Sequence, residues 1–405
     1  MAFGFPQIFF ILLVAQMEIM RYICETEKMK LSKILYRALR RLHLHGIFYN
    51  ALYRWFSSKV PVDATAVSAA EQRLQALYPD KGQSSLCFNE EVVPHECDLQ
   101  VIIPVYNAEQ YIMRCVDSVL SQHTTYSFRV VIVDDGSDDG TPELLSAYAD
   151  HPWVTVISQS NKGHSGARNA ALARLIGRYV MFVDADDKLA QGAIESLMSQ
   201  AYGCDADIVE GAYSRVCEKR TLGVYRHADH IPPTWKDLYG YPFGKVFSSS
   251  LFAHVQFPLN YLFEDTVCSY LIYPNSSRVV TINDIVYEYT IHLASVTHST
   301  KGKSSLIDAL WVTRRMLADS DAFGVEFGVD FYEMFLHDLR VNFMRFITLP
   351  DSSIHRNAFI VSCYLLRSYF DGFRTTDPEL LPLEQALLSA DYGAYLFYGH
   401  CYLCE

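Results

Sequence analysis

Long apolar runs are scarce in this chain. The run Ile8 to Ala15 follows Pro6 and no basic residue, so it fails the pattern of a secretory leader and is short for a membrane-spanning helix. A cysteine framework is lacking too. The ten cysteines of the 405 residues are scattered, and a chain of this length does not need disulfides to be stable, so a reducing compartment is expected. The close pair Cys401 and Cys404, beside His400, has no second pair to complete a four-ligand zinc site and reads as a tail with two free thiols. Net positive charge is absent: 34 Lys and Arg stand against 46 Asp and Glu, a net charge of -12. That excludes a general nucleic-acid binder, which needs a basic footprint, so an anionic ligand must be met locally by a metal, a few cations or backbone amides. The glycine-rich dinucleotide fingerprint is missing after the first strand, where the sequence reads Pro104-Val105-Tyr106-Asn107, and no Walker loop is present. Rossmann dehydrogenases and P-loop enzymes are disfavoured.

What is present is a globular composition, 50% hydrophobic, 14% aromatic and 20% charged. Residues 1–60 form an apolar and basic helical extension, with Arg21, Lys28, Lys30, Lys33, Arg37, Arg40, Arg41 and Arg54 set among apolar residues at roughly helical spacing. Two readings stay open there. The segment lies peripherally on the inner face of the cell membrane, with the rest of the chain in the cytoplasm, or it packs on the main domain or on another subunit of a homo-oligomer. Residues 61–97 read as a linker with a short helical stretch at Ala69 to Leu77.

From residue 98 the pattern is strand, helix, strand, helix, which predicts an α/β domain over 98–300. Apolar strands are expected at Leu99 to Val105, Arg129 to Val133, Val154 to Ile157 and Tyr179 to Val183, with helices at Ala108 to Ser121, Glu143 to Ala149 and Ser165 to Leu175. In open parallel sheets ligands bind at the carboxyl ends of the strands. Two of those ends are dense in acids: Asp134-Asp135-Gly136-Ser137-Asp138-Asp139-Gly140 and Asp184-Ala185-Asp186-Asp187. Carboxylates and a nucleotide diphosphate repel one another, so their coexistence requires a divalent cation, magnesium or manganese by the hardness of the ligands. An isolated Asp-x-Asp is a weak signal, because acids are common in turns and helix caps; its position after a buried strand strengthens it. The loop Asn161 to Asn169 opens a helix, whose amides and the nearby Arg168 suit an anion, although Arg168 is equally suited to an ion pair with one of the aspartates.

These motifs, in this order, resemble glycosyltransferase family 2, the inverting enzymes of GT-A fold, in its bacterial surface-glycan form. The matching segments are Pro104-Val105-Tyr106-Asn107, Val133-Asp134-Asp135-Gly136-Ser137, Asn161-Lys162-Gly163 with Ala167-Arg168-Asn169, and Phe182-Val183-Asp184-Ala185-Asp186-Asp187. The resemblance implies a Rossmann-like, mostly parallel sheet with helices on both faces. It implies that Pro104, Val105, Tyr106, Asn107, Asp134 and Asp135 hold the nucleotide, with help from Arg168; that Asp184 and Ala185 lie beside the donor ribose and sugar; and that Asp186 is the metal ligand. Gly244-Lys245-Val246-Phe247 and Phe263-Glu264-Asp265-Thr266 resemble two further family segments, the second of which supplies the catalytic base. That role falls to Asp265, with Glu264 as its support or as the base itself. Tyr287-Glu288-Tyr289 with Ser295-Val296-Thr297 resembles a segment beside the diphosphate, but His292 stands where arginine is frequent, either as a diphosphate contact or as a polar loop residue.

Residues 301–405 read as a helical subdomain, with helices at Leu306 to Leu317, Phe331 to Ile347 and Ala358 to Phe370 whose aromatic stripe belongs to a core. The function expected is transfer of a sugar from a nucleotide diphosphate, UDP first, to a hydroxyl of a surface polysaccharide or lipid-linked saccharide. The alternative is a non-catalytic nucleotide-sugar-binding or scaffold protein of the same fold.

Overall fold

The computed structural model describes residues 41–87, 94–217, 220–227, 233–292 and 300–403. The run Ile8 to Ala15, the basic residues before Arg41, the segment Ser295 to Thr297 and Cys404 lie outside them. Among the described residues one sheet of nine strands organises the chain. Its first half is parallel: β1 (Cys97–Val105) lies between β2 (Phe128–Asp134) and β4 (Gly177–Phe182), and β3 (Val154–Ser158) edges β2. Leu99 stands opposite both Phe128 and Tyr179, so β1 and β2 end level, at Val105 and Asp134. β4 separates from β1 after the pair Ile102 and Phe182. Pro104, which has no N–H to give, lies beyond that last pair.

The second half is mixed. β8 (Lys245–Ser248) runs antiparallel between β4 and β6 (Ile208–Cys217); β9 (Val279–Thr290) runs parallel to β6 and antiparallel to the short β5 (Lys188–Leu189), while β7 (Arg220–Tyr225) forms a hairpin with β6. The architecture is thus α/β of GT-A type, with a mostly parallel sheet carrying the acidic strand ends.

Strand alternation sets the two faces. Leu99, Val101, Ile103 and Val105 of β1 face α1 (Ile112–Leu120) and α2 (Ala193–Cys204), together with Ile132, Met181 and Val183. Ile102, Val133, Val180 and Phe182 face the other way, onto a larger core shared with α3 (Gly163–Leu172) and with helices from both ends of the chain. These are α4 (His45–Phe56) and α5 (Ala64–Leu77) before the sheet, and α6 (Asp308–Phe323), α7 (Val329–Phe346), α8 (Ser352–Tyr369), α9 (Leu381–Leu388) and α10 (Tyr392–Tyr398) after it.

α5 begins at Ala64 because Asp63 caps it, its carboxylate accepting from the Ala66 amide at 2.9 Å. It packs along α8, and Arg314 of α6 ties Glu71 and Asp80 at 2.9 and 2.8 Å. The exit of α4 is stitched to the C-terminal helices through Val60 N to Ala390 O, 2.9 Å, and Ser58 N to the Asp391 carboxylate, 2.8 Å. Trp311, Phe331, Phe335, Phe343 and Phe346 are buried in this shared core. On the outer side of α4, Ile47 and Trp55 stay exposed, and no helix among the described residues is long and apolar enough to cross a membrane.

Candidate active site

The carboxyl ends of β1 and β2 are laced together before any ligand is considered. Asn107 takes a left-handed conformation, φ 49°, which a short polar side chain tolerates. That turn lets its side-chain amide donate to Asp138 at 2.7 Å while its side-chain oxygen accepts from the Asp138 amide at 2.9 Å. Asp134 accepts from the Ser137 amide, closing the loop as an Asx turn. Asp135, 2% exposed, accepts from Gln159 at 2.7 Å and from the Lys162 amide at 2.8 Å, which fixes the start of α3 against β2. Gly163 donates its amide to the Asn161 side chain. Two amides of this loop are therefore taken by the protein itself, and less of an anion cradle remains than a helix N-terminus would ordinarily offer. Tyr106 stands 50% exposed at the mouth.

Arg168, one turn into α3, is 3% exposed and holds two carboxylates at once: Asp184 at 3.0 Å and Glu264 at 2.7 Å, with its guanidinium 5.0 Å from the Phe257 ring centre. Burial opposes its charge, but the two carboxylates keep it firmly protonated. The ion pair that the sequence allowed for it is present, and it is double. It joins the end of β4 to the segment after Phe263, and so brings Asp184 and Glu264 together from 80 residues apart in sequence order.

That tie separates two neighbouring acids. Glu264 is occupied by Arg168. The Asp265 carboxyl, half-buried, accepts no hydrogen bond among the described residues, and it is pushed up to about 7, first by burial and next by the adjacent Glu264, against the pull of Arg345 and Arg168. A π-turn, Cys268–Ile272, follows immediately, with Tyr273 N donating to Cys268 O. Such turns recur at functional sites, where they re-aim a helix start.

Beyond β4, Asp186 is half-exposed and its carboxylate meets His292 Nε2 at 2.5 Å; His292 Nδ1 is buried with no partner among the described residues. The imidazole stacks on Tyr111, 5.3 Å between centres, and Arg114 lies over the other ring at 5.0 Å while donating to the Asp186 carbonyl at 2.8 Å. Asp187 is fully buried, accepting from Tyr287 Oη at 2.8 Å and the Thr290 amide at 2.6 Å. Burial, then Asp186 and Asp184, hold its carboxyl well above the usual range. Tyr287 Oη also accepts from the Asp184 amide at 3.1 Å, and Ala185 is buried between. Tyr111, Arg114 and Gln159 carried no motif signal in the sequence; Asp187 and Tyr287 did, inside the segments that resemble the family.

Lys245, in the segment Gly244 to Phe247, does not reach the site. It is fully buried, paired with Glu210 and bonded to Tyr239 O at 2.8 Å and Tyr273 Oη at 2.9 Å. Burial raises Glu210 to about 7 in spite of that pair. The cluster fastens the loop before β8 to the turn after Asp265.

A mostly parallel sheet with two acidic strand ends, an arginine tying the second of them to Glu264 and an acid left untied beside that pair belong to a fold of GT-A class. Residues 100–257 match the glycosyl transferase family 2 profile. Glycosyltransferase GlyA of Streptococcus pneumoniae is 30% identical over 243 residues, 55% of this chain, and the match spans only 35% of GlyA. Glycosyltransferase GlyG of the same organism is 26% identical over 304 residues, 68% of this chain and 96% of GlyG. Chondroitin synthase of Escherichia coli is 43% identical over 103 residues, 25% of this chain and 15% of that protein. Among solved structures, S. aureus TarS in complex with UDP-GlcNAc aligns with a TM-score of 0.59 at 19% identity over 74% of this chain and 89% of that one, a likeness of fold.

Proposed function

We propose that the chain transfers a sugar, with inversion, from a nucleotide diphosphate donor to a glycan hydroxyl, and that UDP is the nucleotide. The observation that carries the reading is the unequal treatment of Glu264 and Asp265: one carboxylate is tied to Arg168, and its neighbour is left without a partner and held near pH 7. A general base works best when its pKa lies near the operating pH. Asp265 takes the proton of the acceptor hydroxyl as that oxygen bonds to the anomeric carbon, while the bond from that carbon to the diphosphate oxygen breaks on the opposite face and the diphosphate leaves. Pro104 to Asn107, Asp134 and Asp135 frame the nucleotide. Asp184, positioned by Arg168, and Ala185 face the donor sugar. UDP finds support in the UDP-GlcNAc complex of TarS, and a glycan acceptor in the name of chondroitin synthase.

Two side chains could offer oxygen and nitrogen to a divalent cation, although among the described residues no group of three or more His, Cys, Asp or Glu is placed to hold one. Asp186 and His292 lie together, the imidazole has a buried nitrogen without a partner, and Asp184, Asp186 and Asp187 crowd like charges that a cation would relieve. Asp186 with His292 would hold it, and an imidazole beside a carboxylate favours manganese over magnesium. When bound it neutralises charge on the departing diphosphate. Calorimetry with UDP, GDP and ADP, each with manganese, magnesium or chelator, tests the donor half. Manganese-dependent UDP binding lost in Asp186→Ala is expected; no nucleotide binding under any condition would sink the reading and leave a scaffold of the same fold.

A further inference from the structure

Donor binding and base catalysis leave unused a set of aromatic rings on the second half of the sheet. Phe243 stacks on Tyr287, 4.5 Å between centres and 14° apart, and on Tyr289 at 5.6 Å; Tyr241 stacks on Phe243 at 5.0 Å and 6°. Tyr213 meets Phe243 and Tyr241 edge-on at 5.5 and 6.5 Å. The column thus starts at the ring whose hydroxyl contacts Asp187 and the Asp184 amide. It ends at Tyr241, which is 45% exposed although Phe243 beneath it is buried. Tyr273 Oη donates within the same turn, 2.7 Å from the Tyr239 carbonyl and 3.1 Å from that of Tyr241, so the backbone carrying this ring is fastened to the end of the π-turn that follows Asp265. An ordinary surface tyrosine is mobile and rests on nothing in particular. Tyr241 is clamped parallel to a buried ring, with one face covered and the other open, and burial, then the Asp265 carboxylate, raises its hydroxyl above the ordinary phenol range.

Two arginines complete the surroundings. Arg215 donates to Tyr225 Oη at 3.0 Å, and Tyr225 stacks on Tyr213 at 4.8 Å. Arg345 lies over the Phe263 ring at 3.8 Å, two residues before Asp265, and donates to the Asn342 side chain. Neither forms an ion pair with a carboxylate among the described residues, a state they share with Arg114, Arg129 and Arg226, so what sets them apart is their place near the open ring. In a chain of net charge -12, two such cations beside an open aromatic face point to an anionic partner.

We propose that Tyr241 is the floor of the acceptor subsite and that the acceptor is an acidic glycan end, its sugar ring against the open face of Tyr241 and its anionic group drawn to Arg215 and Arg345. This rests on the transferase reading. A flat ring with a few convergent charges is the usual make-up of a saccharide site, in which the ring meets the apolar C–H face of the sugar and the charges fix orientation.

The test titrates three short oligosaccharides of one backbone, neutral, uronate-bearing and phosphodiester-bearing, into the full chain with UDP and manganese. At least one acidic form should bind about tenfold tighter than the neutral one, and which of the two does so identifies the anion. Tyr241→Ala should weaken that binding about tenfold and raise the acceptor KM without a matching fall in kcat; Tyr241→Phe, which keeps the ring, should bind as wild type. Arg345→Met should erase the preference for the acidic form. Equal binding of neutral and acidic glycans overturns the charge assignment, and unchanged binding in a Tyr241→Ala protein of native circular dichroism overturns the platform. UDP titrated into the same samples separates the cases: failure of wild type to bind UDP sinks the transferase reading, whereas UDP binding with an indifferent Tyr241 sinks only this subsite.

Discussion

Replacing Asp265 with Asn should stop transfer and stabilise the folded protein at pH 8. Both effects follow from a carboxyl raised to about 7 by burial and by Glu264. In the unfolded chain an Asp titrates near its ordinary value of about 3.9. Below about pH 4 both states hold the proton and the burial carries no charge penalty. Between about pH 4 and 7 the unfolded chain has released a proton that the folded chain keeps, so stability falls as pH rises; above about 7 the penalty is complete. For a dry, isolated group the shift would amount to about 4 kcal/mol. Asp265 is half-buried with Arg168 and Arg345 near, and screening brings the expectation down to about 1–2 kcal/mol. Asn keeps the shape without the charge, so the Tm at pH 8 should rise by roughly 2–4 °C, and the gain should vanish at pH 4. In the wild type, kcat/KM should climb with pH through about 7, standing near a tenth of its plateau at pH 6, and the Asn variant should lie about 10²- to 10⁴-fold below the plateau. Scanning calorimetry at pH 4, 6 and 8, with donor turnover across pH 5 to 9, checks both. A variant that keeps a tenth of the plateau rate, or a flat pH profile, refutes the base assignment; a Tm that falls at pH 8 refutes the electrostatics.

Arg168→Met should destabilise by about 2–3 kcal/mol, because the partly buried Asp184 and Glu264 are left unpaired; denaturant melts measure it, and Arg168→Lys should recover part only, since an ammonium cannot fork to two carboxylates. Gly136→Ala should cost about 1–2 kcal/mol, seen as a lower urea midpoint with unchanged slope, since φ is +76° and the new Cβ would lie 3.0 Å from the Asn161 amide. Lys245→Met should cost about 3–5 kcal/mol by stranding Glu210 in the core, and Lys245→Met with Glu210→Leu should recover most of the stability lost, which thermal scans would reveal.

The sheet was legible where residue chemistry repeats at a fixed period. The apolar runs around Val101, Ile132 and Met181 placed three of the strands to within two residues of their ends, because a strand buried on both faces tolerates little else. The helix expected from Ala108 starts only at Ile112: the positive φ of Asn107 and the contacts of Glu109 with Asp139 and Gly140 hold the chain in a turn first. The helix expected at Ala69 starts at Ala64, since the Asp63 cap acts through one side-chain hydrogen bond and leaves no periodic trace. α9 and α10 were not among the expected helices; Pro382 sits in the first turn of α9, where no N–H is needed, and Gly393 stands in α10 where a Cβ would strike the Phe56 carbonyl at 1.7 Å. The carboxylates themselves were legible from their place after strands. Their partners were not, since Arg114 and Gln159 reach the site across elements far apart in sequence, where no spacing encodes contact.

The buried polar groups suggest why so large a helical layer accompanies a sheet that could bury one face with less. Glu264 and Asp265 follow a segment held by Asn169, whose side chain bonds the Phe257 carbonyl and amide at 2.8 Å each, and by Asp308 of α6, whose carboxylate accepts from the Leu262 amide at 2.5 Å. Asp338 of α7 accepts from Tyr270 at 3.0 Å inside the π-turn, and Arg345 of the same helix stacks on Phe263. Two of these ties hold backbone, at Phe257 and Leu262, and two hold side chains, at Phe263 and Tyr270, all within eight residues of Asp265; three of the four come from helices after residue 300. A base must be held to a fraction of an ångström to be useful, and a loop alone does not do that. With Asp265 in the role proposed for it, the helices after residue 300 would act on the reaction through its placement, and substitutions that loosen α6 or α7 against Phe263 should lower turnover before they lower nucleotide affinity.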